Sequence, residues 1–429
     1  MGWTPSPRPD WVLAINRGEV APIAEEAALP LTRDALVAEA AARQGLRVEG
    51  ARAVEAAFGH KGFPAEPALE RLDRFLAAVD AEAQLNPMGR WMTRRFLLRL
   101  LEVRTQLMSW LRQDPGVQEE AISTPLFVAG APRTGTTILH TLLAADARHR
   151  VPKGWELLRP VPPPSPDPMH SATDPRIGLA DRELVRPQTV VSGLLSIHEY
   201  GGHKPKECLS AQSFAFLSEE FTARFGVPRF EAWLESADMD DAYRMHRLVL
   251  QVLQRGHHKT HWVLKSPVHL HHLPTLFGTY PDAKVAITHR DPLVLLASLT
   301  SLIANLRWSH SDEVDPAAIA SAHVKRYART FENLVDWTEA GVLPEKQIHH
   351  SRFADFQDRP IETVRALYAR FDESWSEDAE RAMRSTLAKH PSDRLGSHAY
   401  SAEDLGTDPV ALRGRFQRYQ QAFDVPSND

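Results

Sequence analysis

The stretch Leu126-Phe127-Val128-Ala129-Gly130-Ala131-Pro132-Arg133-Thr134-Gly135-Thr136-Thr137-Ile138-Leu139-His140-Thr141-Leu142-Leu143 decides how this chain folds. Leu126 to Ala129 form a short apolar run that reads as a buried strand. Two glycines bracket the turn that follows, and a helix-forming segment starts behind them. Amide N–H groups in the first turn of a helix have no intrahelical partner, and the helix dipole favours negative charge there. A strand, a glycine turn and a helix in this order therefore predict a backbone cradle for a phosphate or sulfate group.

Gly130 and Gly135 stand at the spacing of the P-loop pattern GxxxxGK[ST]. The lysine position of that pattern holds Thr136, and Thr137 takes the hydroxyl position. Nucleotidases of the P-loop type need the lysine on the β- and γ-phosphates and the hydroxyl on magnesium. Its loss argues against γ-phosphoryl transfer and leaves the anion cradle in place.

On the N-terminal side, residues 31–113 are rich in Ala, Leu, Glu and Arg. Phe96, Leu97, Leu100, Leu101, Leu107, Met108 and Leu111 recur at helical spacing. Residues 1–120 are thus expected to form a helical extension, ended by Asp114-Pro115-Gly116, and residues 121–429 an α/β domain. On the C-terminal side, Pro160–Pro168 has too many prolines for helix or central strand and predicts an irregular loop, a rim for a substrate pocket. A helix is expected over 238–254, with Asp238 as its cap and Met245, Leu248, Val249, Val252 and Leu253 on one face. Trp262-Val263-Leu264 and Ala283-Lys284-Val285-Ala286-Ile287-Thr288 read as buried parallel strands, with a helix between them ending near Gly278. The alternation implies an open parallel sheet with helices on both faces, the layout of P-loop-like α/β proteins.

A length of 429 residues supports one large domain with an accessory part. The formal net charge of −5 offers no electrostatic footprint for nucleic acid. Cys208 is the single cysteine, so an internal disulfide is excluded and a reducing compartment is expected. The first residues, Met1-Gly2-Trp3-Thr4-Pro5, carry no apolar leader, and no run of about 18 apolar residues predicts a membrane span. A cytoplasmic location is expected.

A second informative stretch is Ile287-Thr288-His289-Arg290-Asp291-Pro292. A strand ends in an arginine, and a helix starts at the proline. Ligands of open α/β sheets bind at the carboxyl ends of strands. Arg290 can grip a phosphate through its planar fork of donors, and Ser298 follows on the same helix with a hydroxyl.

Together, Pro132-Arg133-Thr134-Gly135-Thr136-Thr137 and His289-Arg290-Asp291-Pro292 through Ser298 resemble the two cofactor motifs of sulfotransferases that use PAPS, 3′-phosphoadenosine 5′-phosphosulfate. The resemblance runs from about Leu126 to the C-terminus. It is nearest to the bacterial branch with a helical N-terminal extension, similar in its loops to tyrosylprotein and carbohydrate sulfotransferases. It implies PAPS as co-substrate. Pro132, Arg133, Thr134, Gly135, Thr136 and Thr137 are then expected on the 5′-phosphosulfate, and Arg290 and Ser298 on the 3′-phosphate.

The resemblance also assigns roles. Lys265, in Lys265-Ser266-Pro267, stands where the family has a lysine on the oxygen between phosphate and sulfate, and Arg133 joins it as a charge-stabilising residue. Glu156, in Lys153-Gly154-Trp155-Glu156-Leu157-Leu158, matches the glutamate that is general base in the tyrosylprotein-type enzymes. Flanking Trp155 and Leu157 suit a partly desolvated base. The cytosolic phenol and steroid enzymes use a histidine, for which His198 and His203 are the candidates, in a loop that Gly201 and Gly202 are expected to make mobile. Arg394 is the expected donor from the closing arginine–glycine segment. Phe353 stands where a tyrosine is usual, either beside adenine or in the core.

His257, His258 and His261, and His269, His271 and His272, lack the HExxH pattern, and no cysteine cluster accompanies them. No metal is expected. Two other readings stay open: a P-loop-like nucleotide kinase, with Asp291 as its one candidate metal ligand, and a non-catalytic nucleotide-binding protein. The acceptor is expected to be a small molecule, lipid or sugar bearing a hydroxyl. Phe214, Phe216, Phe221, Phe225, Phe230 and Trp233 suggest an apolar pocket for it. A homodimer is compatible with the chain.

Overall fold

The computed structural model describes residues 3–194, 200–257, 261–389 and 409–427. Its centre is a parallel sheet of five strands in the order β2-β3-β1-β4-β5 among the described residues. The strands are β1 (Leu126–Val128), β2 (His149–Arg150), β3 (His261–Lys265), β4 (Lys284–His289) and β5 (Ile348–Arg352). Leu126 pairs with Val263 on one side and Lys284 on the other, so β1 is the middle strand. The chain leaves β1 for β2 and β3 on one side and then returns past it to β4 and β5. Such a reversal opens a crevice at the carboxyl ends of the strands.

Alternate residues of each strand face opposite layers. Phe127, Trp262, Leu264, Val285 and Ile287 join the larger core. That core takes in helices Asp240–Gln254, Pro292–Trp308 and Pro316–Glu339 and the N-terminal helices Arg33–Arg43, Ala65–Glu82 and Pro87–Gln113. Leu126, Val128, Val263 and Ala286 face a smaller core with Leu139, Leu142, Phe356, Val364, Leu367 and Met383. Helices therefore cover both faces, as expected of the apolar runs in β1, β3 and β4. The long helix Pro87–Gln113 carries Leu97, Leu100, Leu101, Leu107, Met108 and Leu111 buried. The helix expected from residue 238 runs over Asp240–Gln254. Asp238 accepts the Asp240 N–H at 2.9 Å, one position outside the cap. Among the described residues no helix is long and apolar enough to cross a membrane.

Two expectations are corrected here. Phe214, Phe216, Phe221, Phe225 and Phe230 are buried core, with Phe221, Phe225 and Phe230 packed around Phe75 at ring distances of 4.7–5.3 Å. The helix Ala65–Glu82 covers these rings and consumes the surface a pocket would need. Residues 160–168 do not rim the cavity described below: Arg176 on the helix Arg176–Val190 donates to the Pro162 carbonyl, and none of these loop residues lines that cavity.

Candidate functional site

The turn after β1 is built by its two glycines. A Cβ on Gly130 would lie 2.0 Å from Thr288 Oγ1 and 2.8 Å from the Thr288 backbone, so only glycine lets β1 and β4 run out side by side. Gly135 has φ +89° and precedes the helix Thr136–Ala144, with no side chain capping that end. The first-turn amides of this helix stay available to an anion. Arg133 also takes a left-handed φ of +67°, a conformation that costs a non-glycine residue energy and occurs at functional turns.

Thr134 staples the turn. Its hydroxyl donates to the Ala131 carbonyl at 2.6 Å and lies 2.5 Å from Thr288 Oγ1. The side chain is buried by these contacts, as is that of Thr136. Thr137 is exposed on the first helical turn. Pro132 is half-buried at the edge of the cavity beside the cradle.

The two motifs meet. Arg133 Nε donates to Ser298 Oγ at 3.0 Å, and Arg290 Nη1 donates to the Arg133 carbonyl at 2.7 Å. The Arg290 guanidinium lies 4.3 Å from the centre of the Phe353 ring. Burial, and then the charge of Arg133, lower the affinity of Arg290 for its proton. The positive charges of Arg133 and Arg290, on linked segments, favour an anion near both. Asp291 caps the helix Pro292–Trp308 through the Leu293 N–H at 3.0 Å and takes Arg413 at 3.3 Å. Phe353 contacts Arg290 and also approaches Gly135, where an added Cβ would lie 2.9 Å from the ring.

Lys265 ends β3 opposite Val128 of β1. The register delivers its ammonium to the cradle helix, where Nζ lies 3.3 Å from Thr137 Oγ1. The side chain is buried and forms an ion pair with Glu207. Glu207 is held close because the Cys208 N–H donates to the Lys265 carbonyl at 3.1 Å. Glu207 carries no signal in the sequence. It lies 58 positions from Lys265, and no local pattern joins the two.

Glu156 is buried inside its own turn. Oε2 accepts the Lys153 N–H at 2.8 Å in a capping box, and Oε1 faces Arg150 at 3.2 Å. His203 is exposed. In the described part of its loop, the Gly202 N–H binds Asp181 at 2.6 Å, and the Gly202 and Lys204 carbonyls accept the Trp155 and Gly154 N–H groups. His269 is a core residue, 2.9 Å from the Tyr243 hydroxyl. His198, His258 and Arg394 lie outside the described residues.

A cavity of about 170 Å³ opens beside the cradle between Pro132, Glu207 and Pro267. Leu299, Leu302, Ile303 and Leu306 of the helix Pro292–Trp308 give it an apolar wall. Its polar side carries compensated charges: Glu219 meets Arg326 at 2.6 Å, and Glu220 meets Arg224 at 2.8 Å. Burial alone would raise the Glu220 carboxyl, yet Arg224, Lys206 and Arg99 hold it down at about 2. At Glu219 burial wins and pushes the carboxyl up despite Arg326.

Comparison with known proteins agrees with this geometry. Residues 125–377 match the Sulfotransferase family, the span from β1 past β5. The omega-hydroxy-beta-dihydromenaquinone-9 sulfotransferase Stf3 of Mycobacterium tuberculosis is 27% identical over 294 residues, covering 65% of this chain and 70% of that protein; its counterpart in Mycobacterium bovis matches equally. The sulfotransferase STF1 of Mycobacterium tuberculosis superposes with a TM-score of 0.75 at 28% identity, over 91% of this chain and 98% of that one. STF9 of Mycobacterium avium gives a TM-score of 0.78 at 25% identity, over 93% and 98%. The two arginine-bearing strand ends and the glycine cradle thus sit in the fold of known sulfotransferases, and the chain belongs to the sulfotransferase family.

Proposed function

We propose that this protein moves the sulfuryl group of PAPS to the hydroxyl of a small, largely apolar acceptor. The observation that carries the reading is the paired guanidinium groups of Arg133 and Arg290, with Ser298, beside a helix N-terminus that no side chain caps. That arrangement supports two anionic groups at once, which suits a nucleotide with separate 3′- and 5′-phosphate ends. In this reading the first-turn amides, with Thr136 and Thr137, hold the phosphosulfate. Arg290, Ser298 and Arg133 hold the 3′-phosphate, and Lys265 neutralises the leaving phosphate. Arg394 remains proposed as a further phosphate donor. A cytoplasmic location is part of the same proposal.

The cavity supports the acceptor class. A space of about 170 Å³ suits a ring or short branched chain, since an apolar cavity of about 150 Å³ takes benzene. A longer acceptor would extend through the mouth. The name of Stf3 carries a hydroxylated menaquinone, which supports a lipid-like alcohol. A kinase reading is weakened by Thr136 at the lysine position and by the commitment of Asp291 to capping. Incubation with PAPS carrying radiolabelled sulfate and a panel of phenols and apolar alcohols tests the reading. Label should pass to an organic hydroxyl without added metal. Phosphate transfer from ATP–Mg²⁺ to the same panel, with none from PAPS, would overturn it.

A further inference from the structure

Lys206 lines the cavity beside the cradle and is only 8% exposed. Each carboxylate on the cavity wall has a cation of its own. Glu219 holds Arg326 and Glu220 holds Arg224, while Glu231 faces Arg307 at 3.5 Å and Glu207 is paired with Lys265. Lys206 is left over: among the described residues its ammonium forms no ion pair and no hydrogen bond. It lies 5.1 Å from the centre of the Tyr200 ring, a contact that attracts a cation but brings no negative charge to cancel it. A charge taken out of water is costly unless a group of opposite sign meets it. We propose that the acceptor supplies that group: the cavity takes a compact hydroxy acid, whose carboxylate pairs with the Lys206 ammonium. The proposal rests on the PAPS-dependent reading above.

The backbone holds Lys206 at this wall. Its N–H donates to the Pro152 carbonyl at 2.9 Å, and two residues on the Cys208 N–H donates to the Lys265 carbonyl at 3.1 Å. The segment is thus pinned between Pro152 and the end of β3. Positive charge is in surplus there: Arg224, Lys206 and Arg99 all act on the single carboxylate of Glu220. Burial disfavours the charged form of Lys206, and Glu220 and Glu207 offset this from beyond pairing distance. A carbonyl or hydroxyl on the acceptor would accept a hydrogen bond from Lys206 and leave the charge uncompensated, whereas a carboxylate does both. Leu299, Leu302, Ile303 and Leu306 offer the opposite wall to a ring or short chain. In pockets of this kind a few placed polar groups in an apolar lining fix the orientation of the ligand. Lys206 accordingly acts on which acceptor enters and how it lies.

Calorimetric titration with benzoate and with benzamide, its neutral counterpart of similar size, tests the pairing. Both are run on the protein alone and with 3′,5′-bisphosphoadenosine bound, which fills the anion sites of the cradle. Benzoate should bind about tenfold tighter than benzamide or better, the scale of a charge-assisted contact. Lys206→Met, which keeps the length and removes the charge, should bring the two within about twofold, and Lys206→Arg should restore a clear preference for benzoate. Single-turnover transfer from PAPS should likewise favour 3-hydroxybenzoate over 3-hydroxybenzamide, and that ratio should fall to about one in Lys206→Met. Benzoate binding no tighter than benzamide, or a preference that survives Lys206→Met, would overturn the proposal. So would a Lys206→Met variant that slows both acceptors in equal proportion, which would place the ammonium on the sulfuryl group. A protein that prefers benzoate through Lys206 but binds no bisphosphoadenosine would strike the donor reading instead and leave the acid site standing.

Discussion

Arg133 Nε and Ser298 Oγ lie 3.0 Å apart, a contact that joins the glycine turn after β1 to the helix that follows β4. Sequence separates the two residues by 165 positions. Arg290, which closes β4, completes the link through the Arg133 carbonyl. One anion near the group would meet the positive charges of both arginines. Arg290→Ala should therefore weaken binding of 3′,5′-bisphosphoadenosine by about 2–4 kcal/mol, as expected when a charge-assisted contact is lost and a ligand charge stays unpaired. Ser298→Ala should cost about 1 kcal/mol, the scale of one hydrogen bond. Calorimetry on both variants checks the order.

Lys265→Ala should depress kcat by roughly 10²-fold or more while nucleotide affinity falls modestly. A cation beside a leaving oxygen helps most once negative charge has developed there. Lys265→Arg should rescue poorly, because a planar fork does not replace a compact ammonium. Single-turnover kinetics at saturating PAPS separate the two effects, and near-wild-type turnover in Lys265→Ala would remove the lysine from the chemistry.

The cradle glycines should fail for different reasons. Gly130→Ala drives a methyl into the Thr288 backbone and should abolish nucleotide binding, because β1 and β4 must separate. Gly135→Ala keeps the strands together but places alanine at φ +89°, a strain of about 1–2 kcal/mol, and presses on Phe353. Urea unfolding alongside calorimetry distinguishes the loss of a site from the loss of the fold.

Filling the cavity should separate acceptor from donor. Ile303→Trp adds bulk to the apolar wall, where overpacking costs roughly 1–3 kcal/mol. Transfer to an apolar alcohol should fall about tenfold or more, and affinity for 3′,5′-bisphosphoadenosine should stay within about twofold of wild type. Equal loss of both would place the acceptor elsewhere.

Buried histidines set an acid limit on stability. Burial lowers His140 to about 4, helped by the charge of Lys265. It lowers His246 to about 3, and His323 to about 3 with Arg307 and Arg326 adding to the effect. These groups are neutral in the fold and take up protons readily only when unfolded. Their contribution is complete above the ordinary histidine value and is lost as pH falls toward 3–4. Between pH 7.5 and 5.5 each should remove about 1.4 kcal/mol of stability. Denaturant midpoints measured across that range should fall steadily, and a flat profile would show that these side chains are hydrated.

What the sequence made legible is what is coded locally. Gly130, Gly135 and the apolar run before them specify a strand, a turn and a helix within eighteen residues, and the cradle follows from that geometry. Arg290 was legible for the same reason, as a charge at the end of an apolar strand. The Lys265–Glu207 pair was not, because the Cys208 N–H bond to the Lys265 carbonyl brings together segments that no periodicity connects. The cavity beside the cradle is not legible because an apolar helix wall, Leu299 to Leu306, looks the same in sequence whether it faces core or open space. The aromatic run from Phe214 to Phe230 misled for the converse reason: only the placement of Phe75 shows that it is core. Glu156 reads in sequence as a candidate base, and only the folded turn shows its carboxylate accepting the Lys153 N–H and facing Arg150.

The central claim is that the site is built for a nucleotide with a 3′-phosphate. Calorimetric titration of the wild-type protein with 3′,5′-bisphosphoadenosine and with AMP, both in the presence of a chelator, tests it most directly. The bisphosphate should bind about 10²-fold or more tightly than AMP, the contribution of charge-assisted contacts from Arg290 and Ser298 to one phosphate. Equal affinity for the two nucleotides, or binding that appears only with magnesium, would contradict the account.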